Sequence, residues 1–251
     1  MPKLSISVVS HAQTALVQSL LADISCHCDG LSVEVILTLN VEESLAFDVG
    51  DYPFPIRIIR NSTPKGFGVN HNAAFNLAKG MFFCVINPDI RFSTNPFDVL
   101  VGHAKENNVG LVAPLIVDSR GREEDSARRF PSPLEIILKI FGGKSAVHTN
   151  TTQALTSPDW VAGMFMLFPR EVFQRMGGFN ERYFLYYEDV DLCARLTLAG
   201  LRVLSCSEVS VVHDARRSSH KNPKFMFWHV LSMFRYFSSD VYKRLQQRPM
   251  S

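Results

Sequence analysis

Six apolar residues run without a break from Met81 to Ile86, and Asn87-Pro88-Asp89 follows at once. A run of this length fits a strand buried on both faces and falls far short of a membrane span. Such a strand needs helices packed above and below it, which constrains the chain toward an α/β architecture. Pro88 stops the ladder. Asp89 therefore falls just past the carboxyl end of a strand, where open α/β sheets bind ligands. A carboxylate there suits a hard cation. A plain turn Asp is the other reading of the same residues.

The preceding chain supports a sheet. Leu4 to Val9 alternates apolar and polar residues and reads as a strand ended by Ser10-His11. Thr14 to Ile24 has helical spacing, Val33 to Leu39 is a second strand ending at Asn40, and Ile56 to Ile59 a third. This β-α-β-β order predicts a mostly parallel sheet with helices on its faces. Pro64 to Asn72 holds Gly66 and Gly68 ahead of a helix carrying Ala73, Ala74, Leu77 and Ala78. Glycines before a helix let backbone N–H groups approach a phosphate or ribose, and Asn70 and Asn72 add amides. No Gly-Lys-Ser/Thr follows, so this is not a Walker loop. A simple turn remains open.

Beyond Asp89, a turn at Ser93 to Pro96 leads into a helix reaching about Asn107, and Gly110 to Ile116 reads as a buried strand. Asp118 to Pro158 is long and polar, with a helical pattern at Leu134, Ile137, Leu138 and Phe141. Long loops in compact domains are often lids or binding loops. Arg128-Arg129 could clamp a diphosphate or simply face solvent. Trp160 to Phe168 reads as one strand and Pro169 to Arg175 as a short helix. Tyr183 to Leu192 places Glu188, Asp189 and Asp191 at the start of another helix. One carboxylate suffices for a cap, so the surplus suggests a general base beside an aromatic wall. Leu201 to Leu204 and Val209 to Val212 read as closing strands, ending at His213, a candidate imidazole ligand.

Charge and cysteine use narrow the class. The net charge of +2 gives no global field for nucleic acid. Eight Lys/Arg against two Asp from Asp214 onward make that tail basic, which suggests an anionic surface as partner. Five scattered cysteines fit reduced thiols, and Cys26-His27-Cys28 lacks a second pair at zinc-ligand spacing. Met1-Pro2-Lys3-Leu4-Ser5 carries no signal-peptide block. The expectation is a cytoplasmic chain, soluble or peripheral on the inner face of the cytoplasmic membrane.

Taken in order, several motifs resemble one family. They are Gly66-Phe67-Gly68-Val69-Asn70-His71-Asn72, Asn87-Pro88-Asp89, Ser126-Ala127-Arg128-Arg129-Phe130-Pro131, Trp160-Val161-Ala162-Gly163, and Gly178-Phe179-Asn180-Glu181-Arg182-Tyr183-Phe184 running into Glu188-Asp189-Val190-Asp191-Leu192. With His213 and Ser218, they make the chain similar to inverting family 2 glycosyltransferases of GT-A fold, most of all the bacterial rhamnosyltransferase branch. The likeness runs from about residue 4 to 237.

The resemblance implies a GT-A, Rossmann-like domain over 1–215, with a nucleotide-sugar half at about 1–117 and an acceptor half at about 118–215. A basic, aromatic helical extension follows at 216–251. It implies Asp189 as catalytic base, and Asp89 with His213 as ligands of a divalent cation, Mn²⁺ or Mg²⁺. It gives the donor Ser10, His11, Asn40, Gly66, Phe67, Gly68, Asn70, Asn72, Asn87, Asp89, Arg128 and Arg129. It gives the acceptor Trp160, Gly163 and Glu188. The implied partners are a dTDP- or UDP-linked sugar, with dTDP-rhamnose the first choice, and a polysaccharide or lipid-linked glycan. A homodimer is compatible with all of this. Asn87 departs from the family's first metal-motif Asp, and Asn40 from the Asp that many relatives carry. A catalytically silent sugar- or nucleotide-binding subunit is the competing reading; a nucleotidyltransferase would need an early Gly-rich Arg/Lys signature that Leu4 to Asn40 lacks.

In the tail, Phe225, Phe227, Trp228, Leu231, Phe234 and Phe237 recur at helical spacing among Arg235, Lys243 and Arg244. The pattern fits a helix closing the core, and equally an amphipathic helix lying on anionic lipid.

Overall fold

The computed structural model describes residues 3–133, 136, 153–213 and 223–248. The helix expected over Leu134 to Phe141, and Ser218, lie outside the described residues. The first half runs β1 (Leu4–Ser10), α1 (Thr14–His27), β2 (Val33–Leu39), β3 (Ile56–Arg60), α2 (Phe67–Leu77), β4 (Phe82–Ile86), β5 (Ile90–Arg91), α3 (Phe97–Ala104) and β6 (Val109–Val117). The second continues through β7 (Ala127–Arg128), β8 (Leu155–Thr156), β9 (Trp160–Val161), β10 (Phe165–Pro169), α4 (Arg170–Arg175), α5 (Glu188–Leu198), β11 (Arg202–His213), α6 (Pro223–Phe237) and α7 (Asp240–Gln246).

The main sheet follows the order β3-β2-β1-β4-β10-β6-β11-β5, with β8 paired to β11. β3, β2, β1 and β4 are parallel, as are β6 and β11. β10 is antiparallel to both β4 and β6, so a strand from the second half of the chain is inserted between two from the first. Alternation along β4 sorts its residues between the faces: Phe82, Cys84 and Ile86 pack with α1 and α3, Phe83 and Val85 with α2, α4 and α5. All five are buried, as the unbroken apolar run requires.

Three readings are corrected. The single strand expected over Trp160 to Phe168 is two, β9 and β10, broken by a turn at residues 162–164. A Cβ at Gly163 would lie 3.0 Å from the tip of the Phe67 ring, so the chain bends where a larger residue would push that ring aside. The two closing strands are one, β11, with a bulge between Cys206 and Ser210 that absorbs the polar interruption. The glycine loop is shorter than expected, because α2 already starts at Phe67 and takes in Gly68, Asn70 and Asn72.

The sequence assigns no element to Ile90–Arg91, the residues of β5. β5 pairs with the end of β11, setting His213 opposite Ile90 and so beside Asp89. Asp23 of α1 holds this short strand: its carboxylate accepts from Arg91 at 2.6 and 2.8 Å and from the Phe92 N–H at 3.1 Å. Bidentate charge-assisted bonds are the stronger kind. Asp23→Ala should lower unfolding free energy by about 1–3 kcal/mol, read from urea midpoints. An unchanged midpoint would show that β5 is held by its ladder alone.

Candidate active site

Asp89 follows β4 and precedes β5, so its carboxylate reaches the end of β11. Its Oδ2 lies 3.3 Å from His213 Nε2, while His213 Nδ1 lies 2.8 Å from Glu124 Oε2. Burial disfavours charge on His213, but hydrogen bonds and attraction from Asp89 and then Glu124 outweigh it and raise the imidazole to about 8. Asp89 Oδ1 is buried and has no hydrogen-bond partner among the described residues. An unpaired buried carboxylate oxygen beside an imidazole nitrogen fits a divalent cation that accepts mixed oxygen and nitrogen ligands. Glu124 then stands behind His213, fixing the ring tautomer. Sequence reading missed Glu124, because nothing in Glu123-Glu124-Asp125 distinguishes it from a solvated acidic run. Its place comes from the chain doubling back, with Val117 bridged to Glu123 and the Glu124 N–H donating to the Ile116 carbonyl.

The 162–164 turn joins this group to Asp189. The Asn87 N–H donates to the Met164 carbonyl at 2.9 Å. One residue earlier, the Gly163 N–H donates to Asp189 Oδ2 at 3.1 Å. Gly163, expected on the acceptor side, thus positions the carboxylate. Burial raises Asp189 above the usual carboxylate range, against the pull of the Val190 and Gly163 N–H groups. Glu188, also expected to meet acceptor, is only 4% exposed instead, and burial followed by repulsion from Asp189 pushes it well up. The two neighbours separate because α5 begins at Glu188, and successive helical positions face different ways.

The chain ahead of Asp189 is held under strain. Tyr186 and Tyr187 have φ of 68° and 67°, a left-handed pair that costs bulky residues on the order of 1–3 kcal/mol each. α6 clamps them. His229 packs against both rings, and Tyr236 and Phe237 against Tyr187. Ser232 donates to the Leu185 carbonyl at 2.8 Å, and Arg235 donates to that of Arg182. Aromatic spacing in the tail showed a helix but not what it holds.

On the opposite side, Asn40 links the strand ends to α2. Its Oδ1 accepts from the Lys65 N–H at 2.8 Å and from Asn61 at 2.9 Å, and its Nδ2 donates to the Lys65 carbonyl at 3.0 Å. Asn61 also donates to Asn70 at 2.7 Å and, like Glu124, was not foreseen. His11 is exposed beside Asn40, while Ser10 is buried and accepts from the Gln13 N–H. Asn70 is 1% exposed, so it shapes the loop rather than offering a free amide. Asn72 is committed to the turn at Phe179, accepting from its N–H and donating to its carbonyl, both at 2.9 Å. Gly66 and Gly68 serve packing rather than open backbone: a Cβ would lie 2.7 Å from the Phe184 carbonyl oxygen and 2.8 Å from Phe179 Cβ respectively. Phe67 packs its ring against His71 and Phe179.

Arg128 pairs with Asp125 at 2.9 Å and lies over the Trp160 ring at 5.3 Å, close enough to lower Asp189 slightly. Arg129 is exposed, and its carbonyl accepts the Trp160 indole N–H at 2.8 Å. The antiparallel pairing of β7 with β9 sets these residues beside the turn that holds Asp189.

The family model described as "Glycosyltransferase like family 2" matches residues 2–230. The rhamnosyltransferase WbbL of Escherichia coli (strain K12) is 27% identical over 248 residues, covering 93% of this chain and 92% of its own. An N-acetylglucosaminyl-diphospho-decaprenol L-rhamnosyltransferase of Mycobacterium tuberculosis is 33% identical over 149 residues, 55% of this chain and 48% of that protein. The aligned part is thus about half of that longer relative. GalNAc-T7, solved with UDP, GalNAc and Mn²⁺, superposes with a TM-score of 0.67 at 16% identity, over 89% of this chain and 45% of that one. The mannosyltransferase PcManGT from Pyrobaculum calidifontis, solved with GDP-Man and Mn²⁺, gives 0.65 at 16% identity, over 98% and 68%. These likenesses show the GT-A fold.

Removing the support behind His213 tests the cation reading. Glu124→Gln should weaken Mn²⁺ binding about 10- to 100-fold, measured by calorimetry, and His213→Ala by more. Unchanged affinity in both would place any bound cation elsewhere.

Proposed function

The chain belongs to glycosyltransferase family 2, and we propose that it is an inverting, metal-dependent enzyme using a nucleoside diphosphate sugar. The observation that carries this reading is the 162–164 turn, which ties the Asn87-Pro88-Asp89 turn on one side and the Asp189 carboxylate on the other. The Asp89 carboxylate suits a cation and the Asp189 carboxylate suits a proton, and the backbone of one short turn bonds both Asn87 and Asp189.

Asp89 and His213 would hold Mn²⁺ or Mg²⁺, which supplies positive charge where the departing nucleoside diphosphate gathers negative charge. His11 borders the nucleotide, backed by Ser10, Asn40 and the start of α2, with Asn87 toward the sugar. Arg128 and Arg129 flank the diphosphate. Asp189 accepts the proton of the acceptor hydroxyl as that oxygen attacks the anomeric carbon from the face opposite the leaving group, inverting it. Trp160 borders the acceptor. Burial makes Asp189 a stronger base than an exposed aspartate, and the Gly163 N–H keeps it aimed. Retention of all these groups favours catalysis over a silent binding subunit.

Likeness to two rhamnosyltransferases supports dTDP-L-rhamnose as first donor, with UDP-sugars the alternative. The name of the mycobacterial relative supports a lipid-linked diphosphate glycan as acceptor. Such an acceptor places the enzyme at the inner face of the cytoplasmic membrane. Among the described residues no helix is long and apolar enough to cross a membrane.

A panel of nucleotide sugars with Mn²⁺ or Mg²⁺ tests the donor: dTDP-rhamnose should bind and turn over only with metal. Metal-independent turnover would overturn the cation role. Asp189→Asn should cut kcat about 100- to 10,000-fold while donor affinity persists. At saturating metal, kcat should rise with pH through a midpoint above the ordinary aspartate range, because only ionised Asp189 accepts a proton. A rate that is flat with pH in that region would remove the base from Asp189.

A further inference from the structure

We propose that the outer face of α6 docks this protein on an anionic lipid bilayer, with the helix lying in the headgroup plane. Among the described residues, eight large hydrophobic side chains are exposed, and five of them are on this one helix. Met226, Phe227 and Phe234 are each 63% exposed, Leu231 41% and Val230 39%. Residues 226, 230 and 234 are four apart, as are 227 and 231, so the five form one stripe. Ser232 and Tyr236, the buried residues of α6, lie on the opposite side. The helix therefore buries a thin inner seam and turns its larger apolar face outward, the reverse of a helix that closes a core.

Charge selects the occupant. Lys224 and Arg235 lie on α6, and Lys243, Arg244 and Arg248 on the chain after it, against Asp240 alone among residues 223–248. Asp240 is answered by Lys243 at 3.2 Å. Arg235 and Arg248 donate to backbone carbonyls, which leave their charge uncancelled. Apolar residues flanked by cations match a bilayer interface, where aromatics sink below the headgroups and cations meet lipid phosphate. A second copy fits less well. A helix of 15 residues is about 22 Å long, and one face of it offers on the order of 200–300 Å², against about 800 Å² per partner in a stable interface. A two-fold pairing would also bring like charges together.

The docking surface adjoins the proposed site. The inner seam of α6 grips residues 182–187, which lead into Asp189, and Phe184 packs its ring on Trp228 at 4.5 Å. The width of one helix, about 10 Å, and the segment 182–187 lie between the bilayer and Asp189. A glycan carried on a lipid diphosphate would then present its hydroxyl near Asp189 without leaving the membrane; this step rests on the acceptor reading above.

Co-sedimentation with phosphatidylcholine vesicles, with and without phosphatidylglycerol, tests the proposal. The chain should bind the anionic vesicles at low salt and release as salt rises. Phe227→Ser with Phe234→Ser, and separately Lys243→Glu with Arg244→Glu, should each weaken binding about tenfold or more. Circular dichroism melts establish that these surface variants are folded. Absence of vesicle binding by the unmodified chain at low salt would overturn the proposal. So would equal binding by the serine variant, or a stable dimer in velocity sedimentation that this variant dissociates. Asp189→Asn should bind vesicles as the unmodified chain does. Docking without sugar transfer would overturn the enzymatic reading alone, and transfer without docking would overturn this one alone.

Discussion

Two backbone hydrogen bonds at the turn between β9 and β10 hold this structure's chemistry together. The Met164 carbonyl takes the Asn87 N–H and the Gly163 N–H supports Asp189. Neither bond exists unless β10 runs antiparallel between β4 and β6, because only that insertion returns the chain to the carboxyl end of β4. The same insertion interleaves the two halves of the chain in one sheet. The side chain that glycine lacks at position 163 is what lets Phe67 close against the turn.

The supports on the two sides differ in kind. On the proposed cation side they are ionic and partly exposed: Asp23 grips Arg91, and Glu124 backs His213. On the base side they are apolar and aromatic: Tyr183, Tyr187, Val190 and Tyr236 form a small core of their own. The difference fits the roles proposed for the two sides. A cation ligand works best with a fixed tautomer and a strong partner charge. A base works best where burial raises its affinity for a proton. The left-handed Tyr186 and Tyr187 are the cost of bringing Asp189 into that setting, and packing against α6 offsets the strain.

Much of this was legible from the chain. The unbroken run at Met81 to Ile86 gave the buried strand, and Asn87-Pro88-Asp89 marked where it ends, because period and punctuation are local signals. Asp89 and His213 were paired only through the family likeness; their contact depends on β5, two residues long and too short for any periodicity. Glu124 and Asn61 were invisible for the same reason, since each acts through a chain reversal that brings distant residues together. Gly66, Gly68, Asn70 and Asn72 were conspicuous, but sequence could not tell ligand-facing from packing roles. Gly66, Gly68 and Asn72 meet Phe184 and Phe179, more than a hundred residues away, while Asn70 meets Asn61.

That last ambiguity has a physical basis. A glycine-rich helix start against a ligand and one against another stretch of backbone need the same thing, an absent Cβ. Here the second stretch is residues 179–184, the same segment that α6 grips from outside. The nucleotide-side helix α2, the strained approach to Asp189 and α6 are thus stacked in that order, each in contact with the next. The face of α6 proposed to dock on lipid thus adjoins the stack that leads to Asp189, and the 162–164 turn joins Asp189 in turn to Asn87 and the proposed cation group.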